Sequence, residues 1–179
     1  MTIDDSEIAA VLAAYLGSHP EEEATLAEPL RLLAEGGNFA SRRNFSMHVT
    51  VGALLTRDGE VLLVGHLAYG ILLQPGGHLE PGDTSLIGAA VRELSEETGI
   101  DPAAVDPVSG EPAYIEFGRV PARPLKDEPE HFHLDIGFGF TTQAGDVGRL
   151  QESEVTSAAW YPLDEAVRLV GPRIAKAVR

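Results

Sequence analysis

Cysteine is absent from all 179 residues, which excludes disulfides, zinc-thiolate sites and thiol nucleophiles. Basic residues are scarce, with 13 Lys and Arg against 28 Asp and Glu and a formal net charge of −15. Non-specific affinity for DNA or RNA comes from neutralising phosphates with Lys and Arg, so this balance argues against a nucleic-acid polymer as partner. Small phosphorylated substrates stay compatible with it, provided a metal ion supplies the positive charge that a diphosphate needs. No stretch approaches the roughly 20 apolar residues that span a bilayer, and no membrane partner is expected. The start, Met1-Thr2-Ile3-Asp4-Asp5, lacks the basic and apolar regions of a signal peptide, so the expected location is cytoplasmic. Internal repeats and low-complexity tracts are also missing. The length suits one domain with an appendage and allows a substantial core.

What is there centres on residues 76–100, GGHLEPGDTSLIGAAVRELSEETGI. Pro75, Gly76 and Gly77 read as a glycine turn, Pro81 and Gly82 as a second turn, and Thr84 to Thr98 as a helix that Gly99 stops. Leu86, Ile87, Ala90, Val91 and Leu94 form an apolar stripe for packing on a core. Glu93, Glu96 and Glu97 fall on another side and converge within one turn. Arg92, four residues before Glu96, neutralises one carboxylate. The surplus negative charge suits a hard divalent cation held by oxygen ligands. Gly76 and Gly77 have no Cβ and let backbone approach a ligand closely.

This segment resembles the Nudix box of the MutT-like hydrolases, Gly-x5-Glu-x7-Arg-Glu-U-x-Glu-Glu-x-Gly-U with U a bulky aliphatic. Gly77, Arg92, Glu93, Leu94, Glu96, Glu97, Gly99 and Ile100 stand where the pattern asks. There are two departures. Asp83 replaces the usual first Glu, and eight residues rather than seven separate it from Arg92. A hydroxyl of Thr84 or Ser85, or Asp83 itself, is positioned to cap the helix and absorb the extra residue. Gly88, inside the helix, costs about 1 kcal/mol relative to Ala, and close packing on a strand is the expected reason for it.

The resemblance implies an α+β fold, the Nudix α/β/α sandwich with a mixed sheet, occupying residues 41–179. It implies hydrolysis of a phosphoanhydride bond in a nucleoside diphosphate linked to another moiety. Glu93, Glu96 and Glu97, with the backbone carbonyl of Gly76, are the implied ligands of Mg²⁺ or Mn²⁺. Glu93 or Glu97 is the implied proton acceptor, and Arg92 orients a carboxylate. The altered Asp83 spacing leaves open an alternative, a Nudix-fold sensor that binds ligand without turnover.

Ahead of this domain, residues 1–40 read as a helical extension that caps it or meets another subunit. One helix covers 6–16 with Ser6 as cap. A second follows Ser18, where Ser18 and Glu21 have capping-box spacing, with a kink or break at Pro29. A homodimer is the expectation that the resemblance and the apolar helices carry together. Strands are expected from Phe45 to Thr56, returning through an Asp58-Gly59 hairpin along Glu60 to Leu67, and again at 71–74 and 113–120. Residues 121–129 read as an exposed loop.

Residues 131–140, HFHLDIGFGF, alternate cleanly. Phe132, Leu134, Ile136, Phe138 and Phe140 face a core, and His131, His133 and Asp135 face the other way. The His-x-His-x-Asp pattern resembles the metal motif of metallo-β-lactamase-like hydrolases, although Ile136 stands where that motif has a further His. A transition-metal hydrolase on His131, His133 and Asp135 is therefore the rival reading. Substrate-binding candidates are Arg42, Arg43, His48, Gly77, His78, His131 and His133. Trp160, Pro162, Leu163, Asp164 and Glu165 also resemble the family's ending, with a helix from Pro162 to Val170 and a short last helix. The acidic loop before it makes Glu152 and Glu154 candidates for an additional base or metal ligand.

Overall fold

A computed structural model describes residues 3–67, 69–124, 127–143 and 146–178. Its central sheet is mixed and has eight strands among the described residues. The longest are β1 (His48–Arg57) and β7 (His131–Thr141), which run parallel in register from His48 opposite His133 to Thr56 opposite Thr141. β2 (Glu60–His66) returns antiparallel to β1 through Asp58 and Gly59, both at positive φ as a two-residue hairpin turn requires. β3 (Ile71–Leu73) pairs with β2. β4 (Gly76–His78) pairs with β1 at Thr50, Val51 and Gly52. Of β1, only Thr56 and Arg57 pair with β2, so the sheet forks along β1 and β4 fills the opening. The stretch read as a glycine turn is thus a short strand, and neither Gly76 nor Gly77 has positive φ.

Helix α1 (Asp5–Ser18) is capped by Asp4, whose carboxylate accepts from the N–H groups of Ser6 and Glu7, rather than by Ser6. Ser18 is the last residue of α1, and Pro20–Glu22 forms a 3₁₀ turn in place of the expected capping box. α2 (Glu23–Glu35) runs unbroken through Pro29. Proline there forfeits one helical hydrogen bond, but its ring is buried between Leu26 and Leu33 on the inward side, and that packing holds the helix together. The apolar stripes of both helices, Ile8, Leu12, Leu26 and Leu33, join the chain's own core.

The helix of the glycine-and-glutamate segment is α3 (Leu86–Thr98), two residues shorter at its start than the sequence suggests. It is followed by β5 (Asp106–Pro107), β6 (Tyr114–Val120), β7, β8 (Val155–Pro162) and α4 (Leu163–Val170). The final segment, Pro172–Val178, is 3₁₀. Alternation along β1 divides the core. Val49, Val51, Ala53 and Leu55 pack with Leu86, Ala89, Ala90 and Leu94 of α3, while Leu54 packs on the opposite face with Ala166 of α4 and Ile174. This is the helix-sheet-helix layering that the resemblance implies. On β7, Leu134, Ile136, Phe138 and Phe140 are buried as expected. Phe132, 37% exposed, instead stacks on Phe117 at the rim, with ring centroids 4.8 Å apart. No helix among the described residues is long and apolar enough to cross a membrane.

Candidate active site

α3 begins at Ser85, whose hydroxyl accepts from the Gly88 N–H at 3.1 Å. A Cβ on Gly88 would lie 2.9 Å from that hydroxyl, so the glycine makes room for the cap and not for a strand. The helix ends at Gly99, which takes the left-handed conformation at φ +68°. Between these ends the inward face differs from the expected stripe. Leu86, Ala89, Ala90 and Leu94 are buried, and with them Glu93 and Glu97, which are only 7% and 2% exposed. Val91 and Ile87 lie at the edge of the core. The side chain of Glu96 is 47% exposed. Carboxylates are rarely buried without a partner, and here two of them occupy the middle of a core-facing surface.

The glycines of β4 make that possible. A Cβ on Gly77 would lie 2.6 Å from the Glu93 carboxyl, and one on Gly76 would lie 2.3 Å from the Val51 carbonyl oxygen. The Gly76 N–H donates to Glu97 Oε2 at 3.1 Å. Burial pushes the Glu93 carboxyl up to about 7 and the Glu97 carboxyl up to about 8. For Glu93 the adjoining Arg92 offsets only part of the shift, and for Glu97 the neighbouring carboxylates of Glu93, Glu154 and Glu96 add to it.

Arg92 organises the rim. Its guanidinium donates to both oxygens of Asp83 at 3.0 Å, to the His78 carbonyl at 2.9 Å, to Glu93 at 3.1 Å and to Glu96 at 2.8 Å. Burial raises the Asp83 carboxyl, but its bonds from Arg92 and from the Glu80 N–H outweigh that and hold it below the ordinary range. The shifted acid therefore reaches Arg92 and fixes it. A lysine carries its three donors on one nitrogen and cannot bridge this fork. Arg92→Lys is expected to lower kcat/KM about 10- to 100-fold, checked by steady-state kinetics at saturating metal.

The acidic loop is tied to the end of α3. Gly148 N–H donates to the Thr98 carbonyl at 2.9 Å and Gln151 N–H to the Glu97 carbonyl at 3.3 Å. That brings Glu154 close enough to act on Glu93 and Glu97. Glu152 lines a shallow depression of about 320 Å³ with Glu96, Arg149, Leu150 and Gln151. Both acids are exposed.

The polar residues of β7 stand on the opposite face of the sheet from α3. His133 is opposite His48 on β1, and Asp135 is opposite Thr50. Both Asp135 oxygens are engaged, one by the Thr50 hydroxyl at 2.9 Å and the other by Tyr114 at 2.7 Å. The Tyr114 hydroxyl also accepts from Gln74 at 2.7 Å. His131 and His133 are grouped with His48 and His78 instead of with Asp135. The sequence names all four as substrate-binding candidates but does not show that they form one cluster, because only strand pairing unites them. Burial lowers His48, His78 and His133, His78 to about 2 and His133 to about 3. Arg42 pairs with Glu128 at 3.4 Å, and Arg43 is exposed with its N–H donating to the Ser41 hydroxyl.

The family model described as NUDIX domain matches residues 46–179. The chain belongs to the Nudix family. Among curated relatives, phosphatase NudJ of Escherichia coli strain K12 is 48% identical over 58 residues, 31% of this chain and 37% of NudJ. The match thus spans little more than a third of that relative's length. A NUDIX hydrolase from Nitrosomonas europaea superposes with a TM-score of 0.54 and 28% identity, covering 73% of this chain and 84% of its own. The NUDIX domain of Shewanella oneidensis NrtR complexed with ADP ribose has a TM-score of 0.51 and 21% identity, covering 82% and 94%. A C. elegans Ap4A hydrolase has a TM-score of 0.53 and 20% identity, covering 72% and 93%. The last two speak to fold alone.

A pH effect follows from the buried Nudix carboxyls. A carboxyl that protonates more readily folded than unfolded favours the fold at low pH, fully below its ordinary value of 4.5. That contribution shrinks as pH rises and is gone above about 8 for Glu97. Without divalent cations, Glu97→Gln is therefore expected to stabilise the protein by on the order of 2 kcal/mol at pH 8.5 and little at pH 4. Thermal melts of both proteins in chelator across that range check it.

Proposed function

We propose that this Nudix protein hydrolyses a phosphoanhydride bond in a nucleoside diphosphate linked to another moiety, with Mg²⁺ or Mn²⁺. The observation that carries the proposal is the pair Glu93 and Glu97, held buried on a core-facing helix surface directly against Gly76 and Gly77. The donor set fits a hard cation, because Glu93, Glu97 and the more exposed Glu96 offer only oxygen, and the first two carry charge that burial disfavours. Such a cation supplies Lewis-acid stabilisation of the phosphate oxygens and acidifies a bound water.

The chain's own residues do the rest. Glu97, buried and in contact with β4 through Gly76, accepts the proton of the attacking water, with Glu93 as the second candidate. Arg92 holds Glu93 and Glu96 in place while Asp83 fixes its guanidinium. Gly77 keeps the space over Glu93 clear. Glu154 adds negative charge from the loop side and raises proton affinity at both buried acids. Residues 41–179 carry this chemistry in our reading, and residues 1–40 serve as its helical cap.

The test is a panel of nucleotide sugars, ADP-ribose, dinucleoside polyphosphates, nucleoside triphosphates and NADH incubated with the protein and either cation. Release of phosphate or a mononucleotide from at least one compound is expected. A panel in which compounds bind and none turns over would replace the enzyme with a sensor.

A further inference from the structure

On the sheet face away from α3, four imidazoles meet. β1 supplies His48, β4 supplies His78, and β7 supplies His131 and His133. His78 Nε2 lies 3.1 Å from His48 Nε2, and His131 Nε2 lies 3.0 Å from His133 Nε2. One nitrogen from each of His48, His78 and His133 falls within 4.8 Å of the others. A tetrahedral zinc with ligands at 2.0–2.1 Å sets its nitrogens about 3.4 Å apart, so small ring rotations would close this triangle around an ion.

The tautomers point the same way. His48 Nδ1 is 3.0 Å from the Asn44 carbonyl, and His131 Nδ1 is 2.7 Å from the Pro129 carbonyl. A carbonyl only accepts, so each Nδ1 carries the proton and these two neutral rings present an Nε2 lone pair to the cluster, where His78 and His133 donate Nε2–H to them and must change tautomer or turn to ligate an ion. A ring N–H donated to a backbone carbonyl is the arrangement that orients metal-ligating histidines. We propose that His48, His78 and His133 bind a Zn²⁺-class transition-metal ion, with His131 beside its fourth position. Imidazole nitrogen without thiolate or carboxylate suits Zn²⁺, Co²⁺, Ni²⁺ or Cu²⁺ and not Mg²⁺.

This site differs from the carboxylate site in ligand type and in the face it occupies. The two are joined through β4, since Gly77 abuts Glu93 while the next residue, His78, supplies an imidazole and gives its carbonyl to Arg92. Arg42 and Arg123 lie on this side of the molecule and disfavour further positive charge at the imidazoles, and both pair with Glu128. Their repulsion weakens binding without removing the ligand set.

The test uses the full chain and Co²⁺ as a spectroscopic stand-in for Zn²⁺, and it needs no turnover, so it is independent of the activity proposed above. One equivalent of Co²⁺ is expected to give the intense visible absorption of a tetrahedral nitrogen site, displaced by Zn²⁺ and not by Mg²⁺. His78→Gln and His48→Gln should each weaken Zn²⁺ binding at least tenfold, whereas Glu97→Gln should leave it unchanged. Imidazole resonances of the unmutated protein should shift on Zn²⁺ addition, a readout that does not depend on any variant folding. Weak octahedral Co²⁺ absorption, loss of binding in Glu97→Gln with retention in His78→Gln, or unshifted imidazole resonances would each overturn the proposal.

Discussion

Replacing Glu97 by Gln is expected to lower kcat by a factor on the order of 10² to 10⁴ on whichever compound of the panel is turned over, with a much smaller change in KM. The amide is nearly isosteric and stays within reach of the Gly76 N–H, which approaches Glu97 Oε2 at 3.1 Å, so the backbone has little reason to move. What disappears is a proton acceptor. Steady-state kinetics on the variant and on His133→Ala decide between the two sites, because the proposed chemistry requires the first loss to exceed the second by far. The opposite order would hand the reaction to the histidines. The same variant should be the more stable protein without metal at alkaline pH, since an uncharged amide replaces a carboxylate only 2% exposed. Activity and stability moving in opposite directions is the behaviour of a group kept for chemistry.

Gly137→Ala is expected to cost on the order of 3 kcal/mol of stability. A Cβ there would lie 1.9 Å from Cε1 of Tyr114. That ring has little freedom to withdraw. It is buried, its hydroxyl donates to Asp135 at 2.7 Å and accepts from Gln74 at 2.7 Å, and the Arg173 guanidinium lies 6.0 Å from its centroid. Gly52, on the neighbouring strand, faces the same hydroxyl, 2.6 Å from where its own Cβ would be. Urea unfolding of the variant checks the cost. A midpoint within experimental error of the parent would mean that Tyr114 is not held as described.

These two residues mark the limits of what the sequence reveals. Glu97 was legible because a motif with fixed spacing names it, and the helix, its glycine stop and the hairpin at Asp58 and Gly59 follow from local chemistry. Its burial was not legible. Periodicity assigns carboxylates to the outer side of a helix, and it is the missing Cβ of Gly77, set against α3 by pairing with β1, that leaves room for Glu93 on the inner side, while the Gly76 N–H meets Glu97. Gly137 reads as a small residue in an alternating strand, and nothing nearby predicts the tyrosine ring that covers it from β6. Asp83 looked displaced by one residue, yet its shorter side chain meets Arg92 because the guanidinium comes to it. The four histidines belong to three strands, so no spacing along the chain joins them. Pro29 misled for a related reason, since its helix is held by packing and not by its local preference.

The parallel pairing of β1 with β7 has a kinetic consequence. Residues 48–56 lie against residues 133–141, so the sheet closes only after the whole stretch 57–132 between them has been gathered into one loop. Contacts so distant in sequence bring no reward until the entropy of that loop has been lost, which makes them late and slow. α3, whose backbone hydrogen bonds are local, is free to form early. The carboxylate site between β4 and α3 should then arrive last, and stopped-flow refolding should show helical signal returning ahead of hydrolytic activity.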